Sequence, residues 1–393
     1  MSIMKKLGIP IVLAMLWLCT SRPAAAQTFT TLLSFNGTDG ANSSAGLIQA
    51  TDGNFYGTTS EGGAHSNGSV FRITPAGVLT TLYSFCSQSA CADGANPAGA
   101  LIQATDGNLY GTTELGTVFR ITLGGAFTTI GATGGQDPIA ALVQGKDGNF
   151  YGTTSHGGSA VKCTLRPGYR VTCGTVFKIT PAGVTTTLAE FTQATGYEPS
   201  SPLIQGTDGN FYGATPEGGA NYPGFGTIFK VTPTGTLTVL HSFDATDGEK
   251  SFAALVQGKD GNFYGTTSFG GGNANFSGTV FKITPTGAFT TLHSFDGADG
   301  SGASAALIQA NDGNFYGTTS GFGSNNLGTV FKITPTGALT TLHSFDGADG
   351  QLSYAPLVQG SNGDLYGTTE FGASTACSEG CGTIFRLADG LAP

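Results

Sequence analysis

Apolar residues in this chain fall into short runs broken by Gly, Asp, Asn and Pro, and the runs return in a fixed order. One cycle begins with an apolar run at Ala45–Ala50 and an Asp-Gly pair at Asp52-Gly53. It continues with FYGTT from Phe55, a Gly-rich stretch, SVFRI from Ser69, a Thr-Pro-Ala-Gly turn and TTLYSF ending at Phe85. Aromatic or β-branched residues alternate with small or polar ones in each run, which is the period of a strand. Helical periodicity is absent over any comparable length.

The repeat is regular enough to count. Its Tyr stands at Tyr56, Tyr110, Tyr151, Tyr212, Tyr264, Tyr316 and Tyr366, with steps of 41 to 61 residues. Four short strands per cycle at this period define propeller blades. The Asp-Gly pairs, Asn362-Gly363 in the last copy, supply the positive φ of a two-residue hairpin. In the Thr-Pro-x-Gly turns, Pro presets φ and Gly relaxes it. The seventh cycle stops after its third strand, and a spare TTLLSF strand at Thr30–Phe35 precedes the first. The expected fold is therefore all-β: a seven-bladed β-propeller with four antiparallel strands per blade, its last blade closed by the N-terminal strand.

The run GTTSEGGAHSNGSVFRITPAGVLTTLYSF from Gly57 to Phe85 resembles the GloVer (Gloeo/Verruco) tandem repeat of exported bacterial proteins. The likeness extends over residues 29–388, and several fixed positions recur in all seven copies. It implies an exported bacterial protein and carries no activity with it. The surface anchors that often end members of this family are not expected at Leu391-Ala392-Pro393. More distantly, DGNFYG and KITPTG are similar to repeats of the streptogramin-lyase propellers, but that family's catalytic His and Glu cannot be matched to positions here.

The first 26 residues carry Lys5 and Lys6, an apolar run from Gly8 to Cys19 and an Ala24-Ala25-Ala26 cleavage site, the pattern of a secretory signal peptide. The mature propeller is then expected at residues 27–393, secreted to the periplasm or beyond, monomeric and without a membrane span. Without the leader, 13 basic residues face 25 acidic ones, a net charge of −12 that argues against nucleic acid as a partner. Six cysteines remain as local pairs, Cys86/Cys91, Cys163/Cys173 and Cys377/Cys381. An even count in an exported chain reads as three disulfides, and the spacings do not suit zinc.

Alternating connections put the Asp-Gly and Thr-Pro hairpins on one face of the ring and the variable loops on the other. All three Cys pairs fall on the loop face, as do inter-blade carboxylates at Asp39, Asp93, Asp137, Glu198, Asp247, Asp299 and Asp349. Asp39, Asp247, Asp299 and Asp349 are candidate ligands for Ca2+, although DGADG lacks the alternating spacing of a calcium loop and turn-forming Asp explains it as well. No other cofactor is implied. At matching offsets in the second-to-third-strand loops stand Glu61, Glu114, His156, Glu217, Phe269, Phe322 and Glu370. His156, with Glu114 and Glu217 on adjacent blades, is the constellation suited to acid–base chemistry. The insertion from His156 to Arg170 adds Lys162, Arg166 and Arg170 to this acidic face. Glu61, Phe269, Phe322, Glu370 and Phe371 are the candidate ligand contacts.

No GxSxG, P-loop, HExxH or CxxC motif is present. The expected function is a non-catalytic binding or scaffold propeller for a glycan or protein ligand, with a lyase or hydrolase acting at the loop face as the alternative.

Overall fold

The computed structural model describes residues 27–158, 162–166, 169–221, 224–272, 277–372, 376–378, 380–388 and 391. The leader expected at residues 1–26 lies outside them. Seven four-stranded antiparallel sheets form the ring of a seven-bladed β-propeller, and among the described residues there is no α-helix. The first blade comprises Ile48–Gln49, Phe55–Thr59, Ser69–Ile73 and Leu79–Ser84. The seventh takes its fourth strand from the other end of the chain: Thr28–Ser34 pairs antiparallel with Thr383–Ala388. An extra hairpin, Lys162–Arg166 with Tyr169–Thr172, rises from the third blade.

Both hairpins of a blade share one design, and it differs from the two-residue turn expected of Asp-Gly. Gly53 N–H donates to Ala50 O, so Thr51 and Asp52 are the turn's centre and Gly53, at φ 81°, is the left-handed residue that follows. A two-residue I′ turn would need Asp52 itself at positive φ; this is a type I turn with a G1 bulge. Thr74-Pro75-Ala76-Gly77 repeats the design, with Gly77 N–H on Thr74 O. Asp52 closes the first loop by accepting from Asn54 N–H and Nδ2 and from Tyr56 Oη at 2.8–3.1 Å. Burial alone would raise this carboxyl, yet those bonds and the nearby Arg72 charge hold it below the usual carboxylate range.

The core lies between blades rather than within them. Tyr151 stacks on Phe211 of the next blade, Tyr212 on Phe263 and Tyr264 on Phe315, with ring centroids 4.0–4.1 Å apart. Each hydrophobic cluster likewise joins residues of two adjacent blades. The Gly of FYGTT is forced by this packing. A Cβ on Gly265 would lie 2.5 Å from Phe281 and 2.8 Å from Leu255. Polar latches accompany the rings. Gln103 Oε1 accepts from Thr51 N–H of the preceding blade, and Gln144, Gln205, Gln257, Gln309 and Gln359 repeat the bond down the chain. Gln49 accepts from Ser361 N–H at 2.7 Å and closes the circle. These glutamines are thus clamps between blades.

Two third-strand cations pair with the hairpin aspartates, Lys332 with Asp312 at 2.9 Å and Arg386 with Asp364 at 3.3 Å.

Gly265→Ala should destabilise the fold by about 1–3 kcal/mol through overpacking against Phe281. Chemical denaturation measures it, and an unchanged midpoint would contradict the packing argument. Acid should also loosen the ring. Burial raises the Asp312 carboxyl, but bonds from Asn314 and Lys332 outweigh it and take the group from 3.8 to about 2. A depressed folded-state value stabilises above the unfolded one and is lost as pH falls through the folded one, so thermal stability should drop between about pH 4 and pH 2. Asp312→Asn should be less stable at neutral pH and show a shallower acid slope.

Candidate functional site at the loop-face channel mouth

Just before its first strand, each blade places one residue of the inter-blade loop in a repeated backbone setting. These residues are Asn42, Asn96, Asp137, Glu198, Lys250, Gly302 and Leu352, all at positive φ between 54° and 64°. Asn42, Asn96, Lys250, Gly302 and Leu352 each join two blades through their backbone, while Glu198 bonds only the preceding blade because Pro216 stands where the following blade would donate. Lys250 N–H donates to Phe225 O of the fourth blade, and Lys250 O accepts from Ser268 N–H of the fifth. The left-handed backbone of a non-Gly residue is costly and is kept here by these backbone bonds. The side chain, unneeded for the staple, is left to vary around the mouth. Sequence reading grouped Asp137 and Glu198 with the inter-blade aspartates and missed this ring. A signal was present, since each ring residue lies three positions beyond Asp39, Asp93, Asp247, Asp299 or Asp349 where those exist.

Those aspartates do another job. Asp247 Oδ1 accepts from Asp244 N–H and its Oδ2 faces His241 Nε2 at 2.8 Å; Asp299–His293 and Asp349–His343 repeat the pair at 2.6 Å. His241 also stacks on Phe289 of the next blade, 4.0 Å between centroids. The candidate calcium ligands Asp247, Asp299 and Asp349 thus each close a loop onto a strand histidine, while Asp39 Oδ1 accepts from Asn36 N–H. Among the described residues, no three His, Cys, Asp or Glu side chains gather as a metal would require.

Outside the left-handed ring, isolated bridges pair the inter-blade loop with the second-to-third-strand loop. Glu61, His156, Glu217, Phe269, Gly321 and Phe371 take this place. The sequence offsets are therefore corrected in three blades: Phe322 lies one residue past the bridge, Glu370 one before it, and Glu114 bonds Asn96 O as Ser60 bonds Asn42 O. Glu370 and Phe371 are partly covered, whereas Phe269 and Phe322 are 48% and 52% exposed.

The structure gives His156 partners other than Glu114 and Glu217. His156 Nδ1 lies 3.1 Å from Asp137 Oδ2, and Nε2 lies 3.6 Å from Glu198 Oε1. Glu217 is paired with Lys250 at 2.9 Å. Burial pushes the Glu198 carboxyl above the usual range, with His156 and Lys250 opposing the shift and Glu217 adding to it. Glu114 is also pushed up, first by burial and then by Asp137 and Glu61. An acidic arc with one histidine and one lysine thus spans the first five blades. The other side of the mouth carries Leu352, Phe322, Tyr354 and Phe371, with the Glu370 carboxylate close enough to act on Tyr354, and Phe252 and Phe269 stand where the two arcs meet. The side chains of Lys162, Arg166 and Arg170 lie outside the described ones.

Between the arcs, small residues line a cavity of about 140 Å3, with Ser44, Ala98, Ile139, Phe252, Ser304 and Tyr354 at its wall. The three expected disulfides form, Cys86–Cys91, Cys163–Cys173 and Cys377–Cys381. Two of them hold the rim directly: Cys173 O accepts Glu198 N–H and Cys381 O accepts Asn42 N–H. No helix among the described residues is long and apolar enough to cross a membrane.

Ring, closing strand and mouth define a seven-bladed β-propeller with an asymmetric loop face. The chain belongs to the Gloeobacter/Verrucomicrobia repeat family, whose pattern matches residues 20–165, 114–311 and 274–391. Among curated proteins no relative matches it. Its fold is similar to that of virginiamycin B lyase from Staphylococcus aureus, at TM-score 0.60 and 15% identity over 92% of this chain and 99% of that one. A catalytically inactive form of that lyase with quinupristin gives 0.62 and 16% over the same shares. The extracellular domain of a hybrid two-component system from B. thetaiotaomicron gives 0.57 and 15%, over 92% of this chain and 41% of that one. At these identities the likeness is one of fold.

Proposed function

We propose that this protein is an exported ligand-binding propeller that receives a glycan at the loop-face channel mouth. The observation that carries this reading is the two-sided mouth: exposed Phe269 and Phe322 on one side, the acidic arc from Glu61 to Glu217 on the other. Aromatic faces offer a sugar ring a flat apolar surface at little conformational cost, and carboxylates accept its hydroxyls. Rigid blades fix both sides, so binding need not order the site. Export is supported by the leader-like residues 1–26 and by three disulfides, bonds that persist in oxidising compartments. A glycan array probed with the purified protein should give a restricted set of hits that a Phe269→Ala/Phe322→Ala variant loses by about tenfold or more. An array without hits would remove the glycan reading.

His156 supports a second reading, acid–base catalysis on a ligand at the same mouth. Its imidazole stands between the Asp137 carboxylate and the raised Glu198 carboxyl, an arrangement that can orient a ring and pass a proton. Under this reading His156→Ala abolishes turnover of any hit while leaving its affinity within a few-fold; hits that the native protein returns unchanged dispose of it.

A further inference from the structure

A second and wider cavity, of about 510 Å3, lies along the central channel. It shares Ala254, Ala306 and Pro356 with the small cavity at the mouth, so the channel narrows toward the loop face. Its volume falls within the roughly 300–1,000 Å3 of ligand sites. The walls come from the first strands of blades one, five, six and seven, with Ile48, Val256, Ile308 and Val358 beside leucines. No charged side chain stands among these described residues, and the polar ones are Gln49, Gln309 and Gln359. Both ends of each glutamine amide are already bonded. Oε1 accepts from the neighbouring blade, and Nε2 donates to Gly53, Gly313 or Gly363 O. A sugar or a peptide carries donors and acceptors that such walls leave unpaired. A hydrocarbon chain carries none and withdraws aliphatic surface from water.

Charge distinguishes the two ends of this channel. At the hairpin end, each of the seven hairpin carboxylates has one third-strand cation near it. Asp52, Asp106, Asp147, Asp208 and Asp260 feel Arg72, Arg120, Lys178, Lys230 and Lys282 in turn. Asp312 and Asp364 pair with Lys332 and Arg386. Lys146 and Lys259 are therefore surplus positive charge on this face. Both are exposed, and neither makes an ion pair among the described residues. Lys259 N–H donates to Oε1 of Gln309 at 2.9 Å, which fixes this lysine's backbone against a residue of the cavity wall. At the other end stands the acidic arc of the mouth. An anionic group is drawn to the first end and repelled from the second.

We infer that the channel is a binding site for a single-chain amphiphile with an anionic head group, its hydrocarbon chain along Ile48, Val256, Ile308 and Val358 and its head at the hairpin face beside Lys259. The site does not rest on the glycan reading. A glycan array without hits leaves it standing, and its own failure leaves that reading untouched. Isothermal titration calorimetry with octanoate, decanoate and dodecanoate, each below its micellar concentration, tests it. Affinity should rise by about twofold to fourfold for each added methylene. Lys146→Glu/Lys259→Glu, two exposed positions, should weaken decanoate by about fivefold or more at low salt and leave uncharged 1-decanol within about twofold. Ile308→Gln should weaken dodecanoate by about threefold or more, since it makes the wall polar. No binding, equal affinity for octanoate and dodecanoate, or indifference to either set of substitutions would each overturn the assignment. So would loss of dodecanoate binding in Phe269→Ala/Phe322→Ala, which would place the chain on the aromatic side chains of the mouth.

Discussion

A blade of this protein has no core of its own. Its sheet is four strands wide, and the aromatic side chains of its second and third strands are buried only when the next sheet covers them. Tyr151 meets Phe211, Tyr212 meets Phe263 and Phe55 closes on Tyr366 across the point where the ring joins. Burial of apolar surface is the main drive to fold, and here it is realised pairwise between neighbours. Everything else follows from the need for a seventh interface as good as the other six. The N-terminal strand gives the last sheet the same four strands as the others, and Gln49 takes the last clamp on Ser361.

Closure constrains the two faces differently. On the hairpin face, Asp, Gly, Asn and Tyr cooperate in one bonded turn in nearly every blade, so substitution there disturbs several bonds at once. On the loop face, blades are stapled by backbone groups of the left-handed ring residues. Backbone staples leave side chains without a structural task, which is why Asn42, Asp137, Glu198, Lys250 and Leu352 can all occupy equivalent places. The disulfides at Cys173 and Cys381 brace this staple where the neighbouring loops are longest. A regular ring thus presents an irregular mouth without loss of closure.

The hairpin aspartates and the mouth glutamates show how position sets the behaviour of one chemical group. Asp312 is partly buried yet held low, because an amide, a tyrosine hydroxyl and Lys332 all point at it. Glu198 is pushed up by burial, since neighbours of mixed sign give it no comparable set of donors to offset that cost. The first arrangement locks a turn. The second leaves a carboxyl raised at the mouth, with His156 rather than a set of donors beside it.

The sequence by itself determined the fold. Strand alternation, turn residues at fixed offsets and seven copies of one Tyr and one Phe admit little besides a closed propeller, and the spare first strand showed where it closes. Those are local signals repeated many times, and local spacing is what a sequence displays. Cysteine pairing was legible for the same reason. The tertiary structure alone decided the turn type at Asp52-Gly53, because bond direction is not written in residue order. It alone decided that His156 faces Asp137 and Glu198 rather than Glu114 and Glu217. Residues meet across a seam by register between different blades, and loops of unequal length hide that register from a linear count. Glu370 and Phe322 were shifted by one place through that same cause. What the seven copies share could be read along the chain; what distinguishes the mouth depended on how the blades meet in space.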